Sequence, residues 1–97
     1  MQKLRQNLSQ IKENLVIAQL RLNTGKQPLT STLFRECLEK PLTYNLKNGL
    51  RRLIGAELRG NTGLARKEIK ELMPFVSFQL DVVSQYSEKR KELKNTT

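Results

Sequence analysis

Leu4, Leu8, Ile11, Leu15, Ala18 and Leu22 recur at alternating intervals of four and three residues. A residue advances about 100° around an α-helix, so this interval returns each apolar side chain to one side of the helix. A strand would need alternation at every second residue, and no stretch of the chain shows it. Residues 2–22 therefore read as a helix. Helical spacing of apolar residues recurs as far as Tyr86 and commits the chain to an all-α fold. Val16, Ile17 and Leu20 widen the stripe in its second half, which predicts that this end is the more buried. A repeat this short does not make an intermolecular coiled coil, and the stripe reads as one helix of a bundle. Asn23-Thr24-Gly25 closes it, glycine being the residue that adopts left-handed backbone past a helix end.

Residues 31–40 place Leu33, Phe34, Cys37 and Leu38 on one face, behind candidate N-cap hydroxyls at Thr30, Ser31 and Thr32. Pro41 stops this helix, because the residue before proline is pushed out of helical backbone. From about Thr43 to Leu58 or Arg59, a stripe of Leu46, Leu50, Leu53, Ile54 and Leu58 predicts a third helix. Gly49 and Gly55 lie inside it, costing of order 1 kcal/mol each relative to alanine, and fit close approach by a neighbouring helix or a nucleic-acid backbone. Gly60-Asn61-Thr62-Gly63 is a corner, with Gly60 ending one helix and Thr62 capping the next. The fourth helix turns Leu64, Ala65, Ile69, Leu72 and Met73 inward. Pro74 either kinks it or opens a fifth helix at its first turn. Beyond Pro74, Phe75, Phe78, Val82 and Tyr86 form one apolar line, and Val76, Leu80 and Val83 a second. A helix apolar nearly all round belongs in the middle of a bundle, with Phe75 and Phe78 as core rather than base-stacking platforms. Residues 88–97 read as a charged, fraying tail. The expectation is one domain over 1–97, a small helical bundle of four to five helices.

Charge points this bundle toward a partner. The 97 residues hold 18 Lys and Arg against 9 Asp and Glu, a net charge of +9, with an isoelectric point near 10.1. Residues 1–30 carry +4, 31–46 are neutral, 47–73 carry +4 and 74–97 carry +1. A basic excess of this size favours a polyanion, DNA or RNA before an anionic membrane surface. The chain has one cysteine, Cys37, which excludes an intramolecular disulfide, and no histidine. That removes the commonest general base and metal ligand, so neither an enzyme, a cofactor nor a metal is expected. No apolar run approaches the roughly 18 residues of a membrane span, and the N-terminus lacks a secretory apolar region. Its basic, acid-poor composition is that of a mitochondrial transit segment too, but the leucine stripe accounts for it as a bundle helix. A cytoplasmic, reducing setting is expected.

The candidate site is the stretch Asn45–Leu72, which spaces Lys47, Arg51, Arg52, Arg59, Arg66, Lys67 and Lys70 among leucines and isoleucines. Arg52 and Arg59 fall together on the far side of the third helix, with Lys47 and Arg51 at its edge. Arg66, Lys67 and Lys70 face out from the fourth. The amides of Thr62 to Leu64 open a helix N-terminus, where unpaired N–H groups and the helix dipole attract an anion, and Arg59 and Arg66 would add charge-assisted contacts to a phosphate. The corner lacks the G-x-x-x-x-G-K-[ST] pattern of a nucleotide-binding loop. Two helices around a glycine turn suggest a helix-turn-helix, but LARKEIKELM lacks the Asn, Gln and Ser that read base edges. The stretch reads as an elbow that grips a phosphate backbone. Whether the first helix touches nucleic acid or another subunit is left open.

The passages LTYNLKNGLRRLIGAELRG and KEIKELMPFVSFQLDVV resemble the helical bundle of the small subunit of type I and type III CRISPR effector complexes, over about residues 30–86. Such bundles also end the large subunit, and in some type I systems the small subunit arises from an internal start in the large-subunit gene. A helical chain beginning at Met1 without a leader suits that origin. The resemblance implies a non-catalytic Cascade-type subunit of an antiviral ribonucleoprotein, present in several copies, touching other subunits and copies of itself and holding target or displaced DNA by its phosphates. Two alternatives share the same residues: a ribosomal or other ribonucleoprotein component bound to structured RNA, and a helical adaptor for an acidic protein.

Overall fold

The computed structural model describes residues 2–40 and 42–95, with side chains over 3–40 and 42–85. Four helices follow in order: α1 (Gln2–Asn23), α2 (Thr30–Glu39), α3 (Tyr44–Leu58) and α4 (Thr62–Asn95). No strand occurs among the described residues. The expected all-α bundle is therefore present, with four helices.

Each helix packs against two others: α1 against α2 and α4, and α3 against α2 and α4. The cross-helix bonds set the register. The buried Asn14 side chain donates to the Leu33 carbonyl at 2.9 Å. The Gln79 amide donates to the Thr43 hydroxyl at 3.3 Å. Arg52 meets Glu68 at 3.4 Å. Each sequential pair is antiparallel, as short connections require. The long axis of 55 Å follows α4, whose 34 residues span about 51 Å at ~1.5 Å per residue.

The core is the leucine stripe of α1 (Leu8, Ile11, Leu15, Ala18, Leu22) closed by Phe34 and Cys37, by Leu46, Leu50 and Leu53, and by Ile69, Leu72 and Val76. At Gly49 of α3, Leu72 of α4 lies directly over the position a Cβ would take. Gly49 therefore allows the close approach foreseen from sequence. Gly55 has nothing within 4 Å of that position, so it serves no packing contact.

Several apolar residues expected inside are outside. Val16, Ile17 and Leu20 of α1 are exposed, as is Leu58 of α3. On α4, Phe78 and Val82 are exposed and Phe75 is half-buried. One cause covers them all. A helix with two neighbours has one covered side, and no helix of this arrangement sits in the middle. An apolar band wider than the covered side must face water. The side chain of Tyr86, the last of that predicted apolar line, lies outside the described residues.

Of the two alternatives at Pro74, the structure has the single long helix: α4 runs through Pro74 and no fifth helix opens there. Proline lacks the N–H that would bond the Lys70 carbonyl. Both residues are exposed, so water can satisfy that oxygen. Pro41, the predicted stop of α2, lies outside the described residues. So do the side chains of the predicted tail, including Lys89, Arg90, Lys91 and Lys94; the backbone of α4 is described to Asn95.

The start of α2 differs from expectation. No hydroxyl of Thr30, Ser31 or Thr32 caps it from the N-cap position, which Leu29 occupies in left-handed backbone at φ 56°. Glu57 of α3 supplies the anion instead. Its Oε2 accepts the Thr30 amide at 2.7 Å and the Thr30 hydroxyl at 2.5 Å. Left-handed backbone at a non-glycine residue costs of order 1 kcal/mol or more. It persists here because buried Pro28 on one side and the Thr30–Glu57 bonds on the other fix the chain.

Candidate nucleic-acid interface

The corner between α3 and α4 is built by backbone bonds. The Gly60 amide donates to the Glu57 carbonyl at 2.9 Å, and the Asn61 amide to the Ala56 carbonyl at 2.9 Å. With Gly60 left-handed at φ 69°, this is a Schellman ending. Gly25 ends α1 in the same way, at φ 75°, its amide bonding the Leu22 carbonyl and that of Lys26 the Arg21 carbonyl. Both glycines do what the sequence predicted.

Asn61, rather than Thr62, caps α4: its Oδ1 accepts the Leu64 amide at 3.0 Å. One of the three amides expected to meet an anion is thus already bonded. Arg66 is also engaged. Its Nη1 donates to Asn23 Oδ1 at 3.0 Å and its Nη2 to the Leu22 carbonyl at 2.9 Å. A cation at the C-terminus of α1 meets the negative end of that helix dipole. Arg66 therefore joins α4 to α1, in addition to any contact with a ligand.

Six of the seven predicted cations (Arg51, Arg52, Arg59, Arg66, Lys67 and Lys70) are exposed, and Lys47 is half-buried. The bundle distributes them over three adjoining surfaces. Arg66 and Lys70 border a cleft shared with Gln19 and Asn23 of α1. At about 100° per residue, Arg52, Arg59 and Lys67 occupy the outer face of the α3–α4 hairpin. Lys47 and Arg51 lie on the flank of α3 turned from α4. Arg52 is partly neutralised by Glu68, whose carboxylate is buried. An ion pair with one exposed partner contributes little, of order 0–1 kcal/mol, and it leaves most of the guanidinium in solvent. Among the described residues, the side chains of Arg51, Arg59, Lys67 and Lys70 form no hydrogen bond or ion pair with protein.

Beside the corner, the α1–α2 loop and the start of α4 border a groove of about 580 Å³, with Lys26, Glu57 and Arg66 among its lining residues. Glu57 and Asn61 had no signal of their own in the sequence. One bonds across the fold, and the other sits where three successive residues are all plausible caps.

Cys37 is buried and its Sγ rests 3.8 Å from the Leu33 carbonyl. Burial pushes its thiol above the ordinary value, against the opposing pull of Lys40. This is a core thiol, as its apolar neighbours suggested. Among the described residues no group of three or more His, Cys, Asp or Glu side chains could hold a metal ion, and no helix is long and apolar enough to cross a membrane. No protein family, curated protein or solved structure matches the chain.

Proposed function

We propose that the chain binds nucleic acid through the phosphate backbone, without reading base sequence, as a non-catalytic subunit of a larger cytoplasmic ribonucleoprotein. The observation that carries this reading is the group of exposed cations around the α3–α4 corner, of which Arg51, Arg59, Lys67 and Lys70 make no side-chain hydrogen bond or ion pair among the described residues. Unpaired cations on adjoining exposed surfaces can neutralise several phosphates at once, and release of condensed counterions supplies the affinity. Contacts of that kind position a strand and carry no sequence information. The resemblance to CRISPR small subunits makes such an effector complex, and a DNA strand within it, the assembly we propose. The apolar outer side of α1, with Val16, Ile17 and Leu20 exposed, supports contact with neighbouring subunits, since contiguous exposed apolar surface marks protein interfaces.

The test replaces Arg51, Arg59, Lys67 and Lys70 together by glutamine. Arg52 and Arg66 are left intact because they tie helices together. Fluorescence anisotropy with labelled oligonucleotides, repeated over a range of salt, should show weaker binding and a shallower salt dependence. The slope should fall by roughly 0.7–0.9 for each phosphate no longer neutralised. Circular dichroism should report unchanged helicity. Equal affinity of variant and parent at low salt would refute the proposal.

A further inference from the structure

Two aromatic rings stand in solvent on the hairpin that carries the cations. Tyr44 of α3 is 75 % exposed and Phe78 of α4 is 67 % exposed. A phenol can offer its hydroxyl to water, but a phenylalanine ring has nothing to offer, and burial of such a side chain is ordinarily favourable. The hydrogen bond between Gln79 and Thr43 holds their chain neighbours Phe78 and Tyr44 at one level of the hairpin. At about 100° per residue, Tyr44 lies opposite buried Leu53 around α3, and Phe78 opposite buried Ile69 around α4. Both rings therefore leave the bundle on its outer face. Exposed Val82 and half-buried Phe75 border Phe78. Toward the corner the same face carries Arg52, Arg59 and Lys67. Cations and rings thus share one surface: along helices that rise ~1.5 Å per residue, Arg51 and Arg52 lie about 10 and 12 Å from Tyr44, Lys67 about 17 Å from Phe78 and Arg59 about 22 Å from Tyr44.

We infer that the ligand of this face is single-stranded nucleic acid, its phosphates held at the corner and its bases stacked on Tyr44 and Phe78. The inference rests on the phosphate-binding reading above and names its substrate class. A strand with unpaired bases offers both charges and aromatic faces along its length, and such strands are held by basic grooves and aromatic platforms used together. A duplex hides its base faces and would engage the cations alone.

The experiment uses the whole chain and two probes at one salt concentration: labelled oligo-dT of about 20 nucleotides, longer than one stacking site requires, and a duplex of the same length. The Tyr44→Leu, Phe78→Leu double variant keeps both positions apolar and helix-favouring. The parent should bind oligo-dT more tightly than duplex. The double variant should lose roughly tenfold or more on oligo-dT, the scale of one missing stacking partner, with duplex affinity and salt slope unchanged. Loss equal on both probes, or on neither, overturns the stacking assignment and leaves the phosphate reading standing. Failure of the parent to bind either probe at low salt overturns both. Binding to phosphatidylserine vesicles that the double variant abolishes, with oligo-dT affinity unmoved, gives the rings to lipid and overturns the assignment. A readout independent of the double variant is tyrosine emission. The chain has two tyrosines and no tryptophan, so in a Tyr86→Phe background oligo-dT should quench Tyr44. Unquenched emission at saturating oligo-dT refutes stacking on that ring.

Discussion

Gly49 and Gly55 sit in the same helix six residues apart in number, and alanine at each should move stability in opposite directions. A glycine in a helix interior costs about 0.8–1.0 kcal/mol relative to alanine. At Gly55 an added Cβ meets nothing within 4 Å, so Gly55→Ala should recover nearly all of that. For a domain of this size, 1 kcal/mol corresponds to a melting shift of roughly 4–8 °C. At Gly49 the added Cβ overlaps Leu72 Cδ2. Leu72 is the end of a flexible side chain, but it is only 5 % exposed and must move into packed neighbours. Overpacking of that kind costs about 1–3 kcal/mol, which outweighs the helix gain and leaves Gly49→Ala destabilised by about 1 kcal/mol. Thermal unfolding followed by circular dichroism should therefore separate the two variants by about 2 kcal/mol, or roughly 8–16 °C. A double-mutant cycle identifies the cause. In a Leu72→Ala background the overlap is gone, and Gly49→Ala should become stabilising. A Gly49→Ala protein as stable as Gly55→Ala, or no change of sign in the cycle, would refute the contact between α3 and α4 as described.

Glu57→Ala leaves the amide and hydroxyl of fully buried Thr30 without a partner, at a cost of about 1–3 kcal/mol for each unsatisfied group. Glu57→Gln keeps an acceptor and should lose less than half as much. Urea midpoints at constant m-value measure both, and an alanine variant within about 0.5 kcal/mol of the parent, the ordinary scatter of surface changes, would contradict the capping role. Cys37, whose thiol is raised by burial, should resist a disulfide reagent near neutral pH until the protein unfolds. The sign of its linkage follows from the raised value: stability is complete below the unfolded thiol pKa and falls as pH rises toward the folded one, because the unfolded chain ionises first. Urea unfolding across that alkaline range should show a drop in the parent that Cys37→Ala lacks; equal drops would assign it to other groups.

The helices and their ends were legible because their signals are local. The stripe from Leu4 to Leu22 and the glycines at 25 and 60 act within one turn of where they stand. Burial was less legible, because it depends on how many neighbours a helix acquires. Val16, Ile17, Leu20, Leu58 and Phe78 carry the same apolar signal as Leu15 or Leu53, yet lie on sides that no helix covers. Long-range polar partners left no trace at all. Thr30 and Glu57 are separated by 27 positions, and Asn23 and Arg66 by 43. The cations of the candidate site were visible in the sequence. The engagement of Arg52 with Glu68 and of Arg66 with α1 became visible only once the helices were placed.

The two helical hairpins, α1–α2 and α3–α4, are continuous in chain at one end of the bundle. At the other end the second completes the first: Glu57 of α3 closes the N-terminus of α2, and Arg66 of α4 closes the C-terminus of α1. The first hairpin does not contain the groups that the second supplies. Formed alone, it would have two helix ends without their closing charges, on top of an uncovered apolar face. Docking and capping therefore happen in the same event, which couples the hairpins into one cooperative unit. Loosening either closure loosens the whole bundle, including the corner that presents the cations.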